Sequence, residues 1–286
     1  MGASTDFHRR VVLIDGADTP LGAATARYLA IHGARVTLLG DDIDPVRSLA
    51  AELGAAVVGQ RAVSGSDDVF DLVPEVISEV GGLDAAFSAR GSVIRGWDNS
   101  ERPSGIHETI ERDLVRVMLS TRALAEYFSA TKCGRIVTTA VAAGCFGLKG
   151  AATFSAVSGA IAGMTKSHAL ALRGTDVRIN AVAPILNIAS GGGIVDGASV
   201  LDEDRYRADV VAPVVAYLAS EQCQVTGQVF SVGAGRTART FAGTVAGYFD
   251  AEADHVAVGA NLDQILAGDH PVMLEDSRDE LLLIEV

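Results

Sequence analysis

Short apolar runs alternate along this chain with longer stretches of helical periodicity. Val11-Val12-Leu13-Ile14 is an unbroken apolar run that stops at Asp15-Gly16. It reads as a strand buried on both faces and followed by a turn. Residues 21–32 carry Leu21, Ala24, Tyr28 and Leu29 at helical spacing, and Gly33 ends the pattern. The alternation then repeats. Strands are predicted over 35–39, 55–58, 83–88, 134–139, 177–182 and 228–232, and helices over 45–53, 69–80, 109–130, 151–172 and 210–220. The helix over 109–130 places Ile110, Leu114, Val117, Thr121, Leu124 and Phe128 on one face. Strands that alternate with helices specify an α/β chain with a single doubly wound, Rossmann-type parallel sheet of about seven strands, covered on both faces.

Composition narrows this picture. The 286 residues allow one or two domains at roughly 100–200 residues each. Apolar residues make up 49% and aromatics only 5%, with 31 glycines, a mixture suited to close packing of helices on a sheet. The net charge of −13 is uneven: from Gly247 onward ten acidic residues face one Arg, whereas the first 246 residues are nearly balanced. The pattern divides the chain into an N-terminal tail (1–7), a Rossmann domain (8–240) and an acidic C-terminal extension (241–286), the last too short for a second core. A chain this acidic is not expected to bind nucleic acid. Cys133, Cys145 and Cys223 form no CxxC pair, as expected in a reducing cytoplasm, and the scattered histidines imply no metal site. The first ten residues lack the apolar stretch of a signal peptide, and no run approaches the ~18–20 residues of a membrane span.

The order of motifs resembles the short-chain dehydrogenase/reductase family over roughly residues 8–235. The resemblance rests on Asp15-Gly16-Ala17-Asp18-Thr19-Pro20-Leu21-Gly22, Gly134-Arg135-Ile136-Val137, Val177-Arg178-Ile179-Asn180-Ala181-Val182-Ala183-Pro184, and Tyr217-Leu218-Ala219-Ser220 with Thr226-Gly227-Gln228. The segments Val211-Ala212-Pro213 and Gly233-Ala234-Gly235-Arg236 resemble the branch of hydroxyacyl-CoA dehydrogenases in multifunctional β-oxidation enzymes. That family transfers hydride between a dinucleotide and a carbonyl or alcohol. A Tyr serves as acid/base, a Lys lowers its pKa, a Ser holds the substrate oxygen and an Asn holds a relay water.

By their flanking motifs these positions are Phe154, Ser158, Val141 and Met118. None offers the family's group, so the resemblance implies no catalytic residue here and the loss of ordinary activity. Thr139, Ser155 and Ser158 are the hydroxyls near enough in sequence to substitute, but a hydroxyl with an ordinary pKa is a poor acid or base near neutrality.

The implied cofactor positions are Gly16, Thr19, Leu21, Gly22, Asp41, Val63, Ser88 and Gly91. A pyrophosphate needs glycines and free N–H groups at a helix N-terminus. Pro20 lacks an N–H at the middle glycine position, and Asp15 and Asp18 put negative charge there with no Lys or Arg in the loop. Ala62 replaces the adenine-contacting Asp, and Pro184-Ile185 the family's Pro-Gly. The expectation is that no cofactor is bound; an acidic Asp41 favours NAD(H) over NADP(H) if one is.

Three functions follow. The first is a non-catalytic subunit paired with an intact paralogue, in acyl-CoA (β-oxidation-like) metabolism; the family's two long central helices form such contacts, here or with a second copy, and Ala156, Gly159, Ala160 and Gly163 are small enough for close approach. The second is an NAD(H)-dependent oxidoreductase or cofactor-independent enzyme using Thr138, Thr139, Ser88, Arg90, Asn187 and Ser190. Arg90 is either a surface residue or a cation that holds a carboxylate or phosphate. The third is a dinucleotide or ligand sensor without turnover. Trp97 reads as a loop pin and His107 as a helix-entry residue.

Overall fold

In the computed structural model, residues 7–63, 67–91, 103–186, 204–268 and 271–279 are described. The chain forms two compact units, Met1–Thr240 and Phe241–Val286.

The first unit is built on an eight-stranded sheet in the order β3-β2-β1-β4-β5-β6-β7-β8. β1 (Val11–Asp15) is buried throughout, as its unbroken apolar run requires of a strand covered on both faces. It pairs in parallel with β2 (Arg35–Gly40) on one side and β4 (Ala85–Ser88) on the other. The chain order reverses between β1 and β4, which makes their carboxyl ends the topological switch point. β3 (Val57–Ala62) borders β2, and β5 (Cys133–Thr139), β6 (Asp176–Pro184) and β7 (Val229–Gly233) extend the parallel sheet beyond β4.

The eighth strand corrects the expected seven. β8 (Arg236–Thr240) runs antiparallel to β7, with Gly233 opposite Arg236. The two linking residues, Ala234 (φ 50°) and Gly235 (φ 82°), both take left-handed backbone, the requirement of the tight hairpin turn whose twist matches its strands.

The helices α1 (Pro20–Ile31), α2 (Ile43–Leu53) and α8 (Ala212–Ala219) pack with β1, β2 and β4 into one core through Leu21, Leu29, Val46, Val215 and Leu218. On the opposite face, α3 (Asp67–Val80) and α5 (Arg116–Thr131) meet the sheet through Val73, Val76, Leu124 and Phe128. α7 (Ala152–Ala171) adds Val157 and Ile161 to a third cluster with Val117 and Ala181. The long helix predicted over 109–130 starts earlier, as α4 (Pro103–Ile110), and passes through a π-helical turn, Glu111–Val115, before α5. A short α6 (Ala143–Phe146), absent from the sequence reading, lies against α7: a Cβ on Gly144 would sit 2.5 Å from the Gly159 nitrogen.

The second unit holds α9 (His255–Ala260), capped by the Asp254 carboxylate, and α10 (Leu262–Leu266), with one antiparallel bridge between Thr244 and Val272. None of its described residues is buried. No helix among the described residues is long and apolar enough to cross a membrane.

Candidate functional site

The carboxyl ends of β1, β2 and β4 lie side by side at the switch point, where open α/β sheets bind their ligands. Gly16 turns the chain out of β1 with φ +84°. A Cβ on Gly22 would come within 2.0 Å of the Gly16 carbonyl oxygen, so α1 starts this close to the strand only because position 22 is glycine. Thr19 caps α1: its hydroxyl donates to the Gly16 carbonyl at 2.7 Å and accepts from the Gly22 N–H at 3.0 Å. Pro20 occupies the first turn of α1, where its missing N–H leaves no helical bond unmade.

Beside this turn lies a four-residue ion network. Arg90, just past β4, donates from Nε to Asp15 Oδ1 (3.1 Å) and from Nη1 to Asp41 Oδ2 (2.6 Å). Arg116, the first residue of α5, donates from Nη2 to Asp15 Oδ1 (2.7 Å) and from Nη1 to Asp41 Oδ1 (2.8 Å) and the Val63 carbonyl (3.0 Å). Arg90 and Arg116 are 4% and 2% exposed, whereas the Asp41 side chain keeps 35% of its surface in solvent. Burial alone pushes the Asp15 carboxyl up, but the guanidiniums of Arg90 and Arg116 outweigh it and hold Asp15 below the usual carboxylate range. Burial likewise works against the Arg90 charge, and Asp15 and Asp41 more than restore it.

These contacts revise the charge balance read from the loop. Asp15 is offset by Arg90, just past β4, and by Arg116 of α5 rather than left bare. Asp18 braces the turn, its Oδ2 accepting from the backbone N–H groups of Asp41 (3.0 Å) and Asp42 (3.3 Å). Arg90 is not a surface residue. It does hold carboxylates, and both belong to this chain. Arg116 escaped the sequence reading. With Asp113 and Ser120 it forms a buried polar stripe at i, i+3 and i+7, beside the apolar stripe on the same helix. That parallel stripe was the available signal.

Among the other predicted cofactor positions, Leu21, Val63, Ser88 and Gly91 are buried, and Gly91 has φ +75°. The Val63 N–H donates to the Gly40 carbonyl. Of the four residues that the sequence reading matched by their flanking motifs to catalytic groups, Phe154 is 6% exposed, Ser158 is buried, Val141 is half-buried at the entry to α6, and Met118 is 46% exposed on α5. Among the described members of the alternative polar set, the two threonine hydroxyls are already engaged. The Thr139 hydroxyl donates to the Ser88 carbonyl (2.7 Å), and that of Thr138 pairs with Thr165 (2.9 Å), so both are spent inside the sheet and its helix packing. Gly159 packs on α6 within the chain, while Ala156, Ala160 and Gly163 are exposed on α7. Asn187, Ser190 and Trp97 lie outside the described residues. His107 sits within α4, not at its entry.

The residues present suit a dinucleotide in two respects. The Gly16–Gly22 cradle would be filled by any Cβ at position 22, and it brings backbone up to the N-terminus of α1. The ion network also contains unpaired buried donors and acceptors besides Arg90: Arg116 Nε and Asp15 Oδ2, with Asp18 Oδ1 alongside. Sugar hydroxyls, which both donate and accept, complement such a set.

The family model described as short chain dehydrogenase matches residues 10–189. A cis-4-hydroxycyclohexanecarboxylate dehydrogenase of Sinomonas cyclohexanicum is 30% identical over 254 residues, covering 81% of this chain and 98% of its own length. The peroxisomal multifunctional enzyme type 2 of Mus musculus is 31% identical over 249 residues, covering 82% of this chain but only 33% of that protein. A crystal structure of a short chain dehydrogenase from Mycobacterium avium superposes with a TM-score of 0.78 at 24% identity, over 94% of this chain and 99% of the other, a likeness of fold. These matches overturn the expectation that no cofactor is bound: the proteins matched are dehydrogenases of a family that works on nicotinamide dinucleotides. They do not distinguish NAD from NADP.

Proposed function

This chain belongs to the short chain dehydrogenase family, and we propose that it is a dinucleotide-holding subunit without dehydrogenase turnover of its own, assembled with a catalytically intact member of the family. The reading is carried by Phe154, a buried side chain with no proton to give, which the flanking sequence motifs match to the family's acid/base position.

A bound dinucleotide supplies or accepts hydride. The alkoxide formed on a reduced carbonyl then needs a proton, and a positioned acid/base contributes about 10²–10⁴ in rate. Neither Val141, Phe154 nor Met118 can donate one, and an alcohol such as the Ser158 hydroxyl is a poor acid near neutrality. Thr139, the nearest hydroxyl on β5, is committed to the Ser88 carbonyl. Holding is a different matter. The N-terminus of α1 at Leu21 would seat a diphosphate, with Gly16 and Gly22 allowing the close approach, and Asp41, partly open to solvent, would take ribose hydroxyls.

The partner is inferred from the retained fold and from the exposed small residues Ala156, Ala160 and Gly163 on α7. A setting in acyl-CoA metabolism is inferred from the likeness to peroxisomal multifunctional enzymes. The test is co-expression with a short chain dehydrogenase encoded beside this gene that keeps its Tyr, Lys and Ser. The expected result is a stoichiometric complex that survives size exclusion, with this chain alone inactive. Persistent isolation as a homo-oligomer that reduces ketones overturns the proposal.

A further inference from the structure

The side chain of Arg90 follows an unusual path. It leaves the end of β4, reaches Asp15 at the end of β1, and continues to Asp41 beyond the end of β2. It therefore crosses the carboxyl end of β1, the crevice over which a ligand at the switch point must lie. The crossing is closed at both ends by carboxylates and is almost wholly buried. Asp15 and Asp41 do not depend on Arg90 alone, because Arg116 from α5 pairs with both.

We propose that Arg90 is an autoinhibitory strap across the dinucleotide crevice, held by Asp15 and Asp41, that must swing away before a dinucleotide seats. This rests on the dinucleotide-holding reading above. Two features make the strap movable. Its Nη2 has no partner in the closed position, so closure is incomplete. Arg116 remains to neutralise Asp15 and Asp41 once Arg90 departs. A dinucleotide then binds only the strap-open fraction of molecules, and the measured affinity falls by that fraction.

Charge and strap predict opposite signs, which makes the test decisive. If Arg90 served as a phosphate clamp, its loss would weaken binding of an anionic dinucleotide. As a strap, its loss tightens binding. The experiment is a fluorescence titration of the full chain with NADH, and in parallel NADPH, for wild type and Arg90→Ala. The expected result is about ten-fold tighter binding by the variant, the gain that follows if the strap is closed in about nine-tenths of molecules. The ligand-induced rise in melting temperature should increase with it. Arg90→Gln, which can still donate to Asp15 but lacks the reach to Asp41, serves if the alanine variant does not fold and should tighten binding in the same direction. Wild-type binding with unchanged or weaker binding by the variant overturns the strap and leaves the dinucleotide reading standing. Binding by neither overturns both.

Discussion

Arg116→Ala removes the centre of the buried network. Its guanidinium makes three hydrogen bonds at 2.7–3.0 Å, to Asp15, Asp41 and the Val63 carbonyl. Without it the buried Asp15 faces Arg90 alone at 3.1 Å. Breaking a buried ion pair by deleting one partner costs about 3–5 kcal/mol when the remaining charge is left uncompensated; Arg90 still faces Asp15 here, so the loss falls in the lower part of that range. The Asp41 share is discounted, since water reaches that carboxylate and exposed pairs are worth roughly 0–1 kcal/mol. The loss expected is therefore about 3–4 kcal/mol. For a domain of this size each kcal/mol moves the melting temperature by about 2–4 °C, so a fall of about 6–16 °C should accompany it. The assay is urea unfolding followed by circular dichroism, with the midpoint compared at constant slope. Asp15→Asn in the Arg116→Ala background should recover part of the loss, because a neutral amide needs no counter-charge. A loss below about 1 kcal/mol, the value of a solvent-exposed pair, would refute a buried network.

Three further outcomes follow from the same geometry. Gly22→Ala drives a Cβ into the Gly16 carbonyl and should cost about 3 kcal/mol or more, read as a lower unfolding midpoint with loss of NADH binding. The lowered pKa of Asp15 means that its contribution to stability is complete above the usual 3.8 and is lost as pH falls below that value towards the native one; Asp15→Asn should flatten the acid limb of the stability profile there. Phe154→Tyr alone should give no NADH oxidation with a panel of ketones. Phe154→Tyr with Ser158→Lys and Val141→Ser should raise the rate by about 10²–10⁴, and an unchanged rate in the triple variant would show that something besides these positions silences the site.

The strands were legible because short apolar runs bounded by turn residues, such as Val11-Val12-Leu13-Ile14 before Asp15-Gly16, fit strands covered on both sides. β8 was missed because its residues Arg236, Thr237, Ala238, Arg239 and Thr240 carry no apolar run; the signal lay in the turn, where Ala234 and Gly235 take left-handed backbone. The glycine-rich turn was legible for the same reason that it is fixed: only glycine tolerates the approach at position 22. The ion network was not. Asp15, Asp41, Arg90 and Arg116 are spread over about a hundred residues, and each alone reads as an ordinary charge at a strand or helix end. Only the reversal of strand order between β1 and β4 brings them together.

The central claim is that this member of the family holds a dinucleotide and does not turn it over. The most direct measurement takes the purified chain alone through an NADH titration by calorimetry and then follows absorbance at the nicotinamide band with saturating 3-oxoacyl-CoA and cyclic ketones. The account predicts saturable binding with no loss of absorbance over hours. Steady oxidation of NADH that persists in a Phe154→Ala variant would contradict it, because the proton would then come from a group other than Met118, Val141, Phe154 and Ser158.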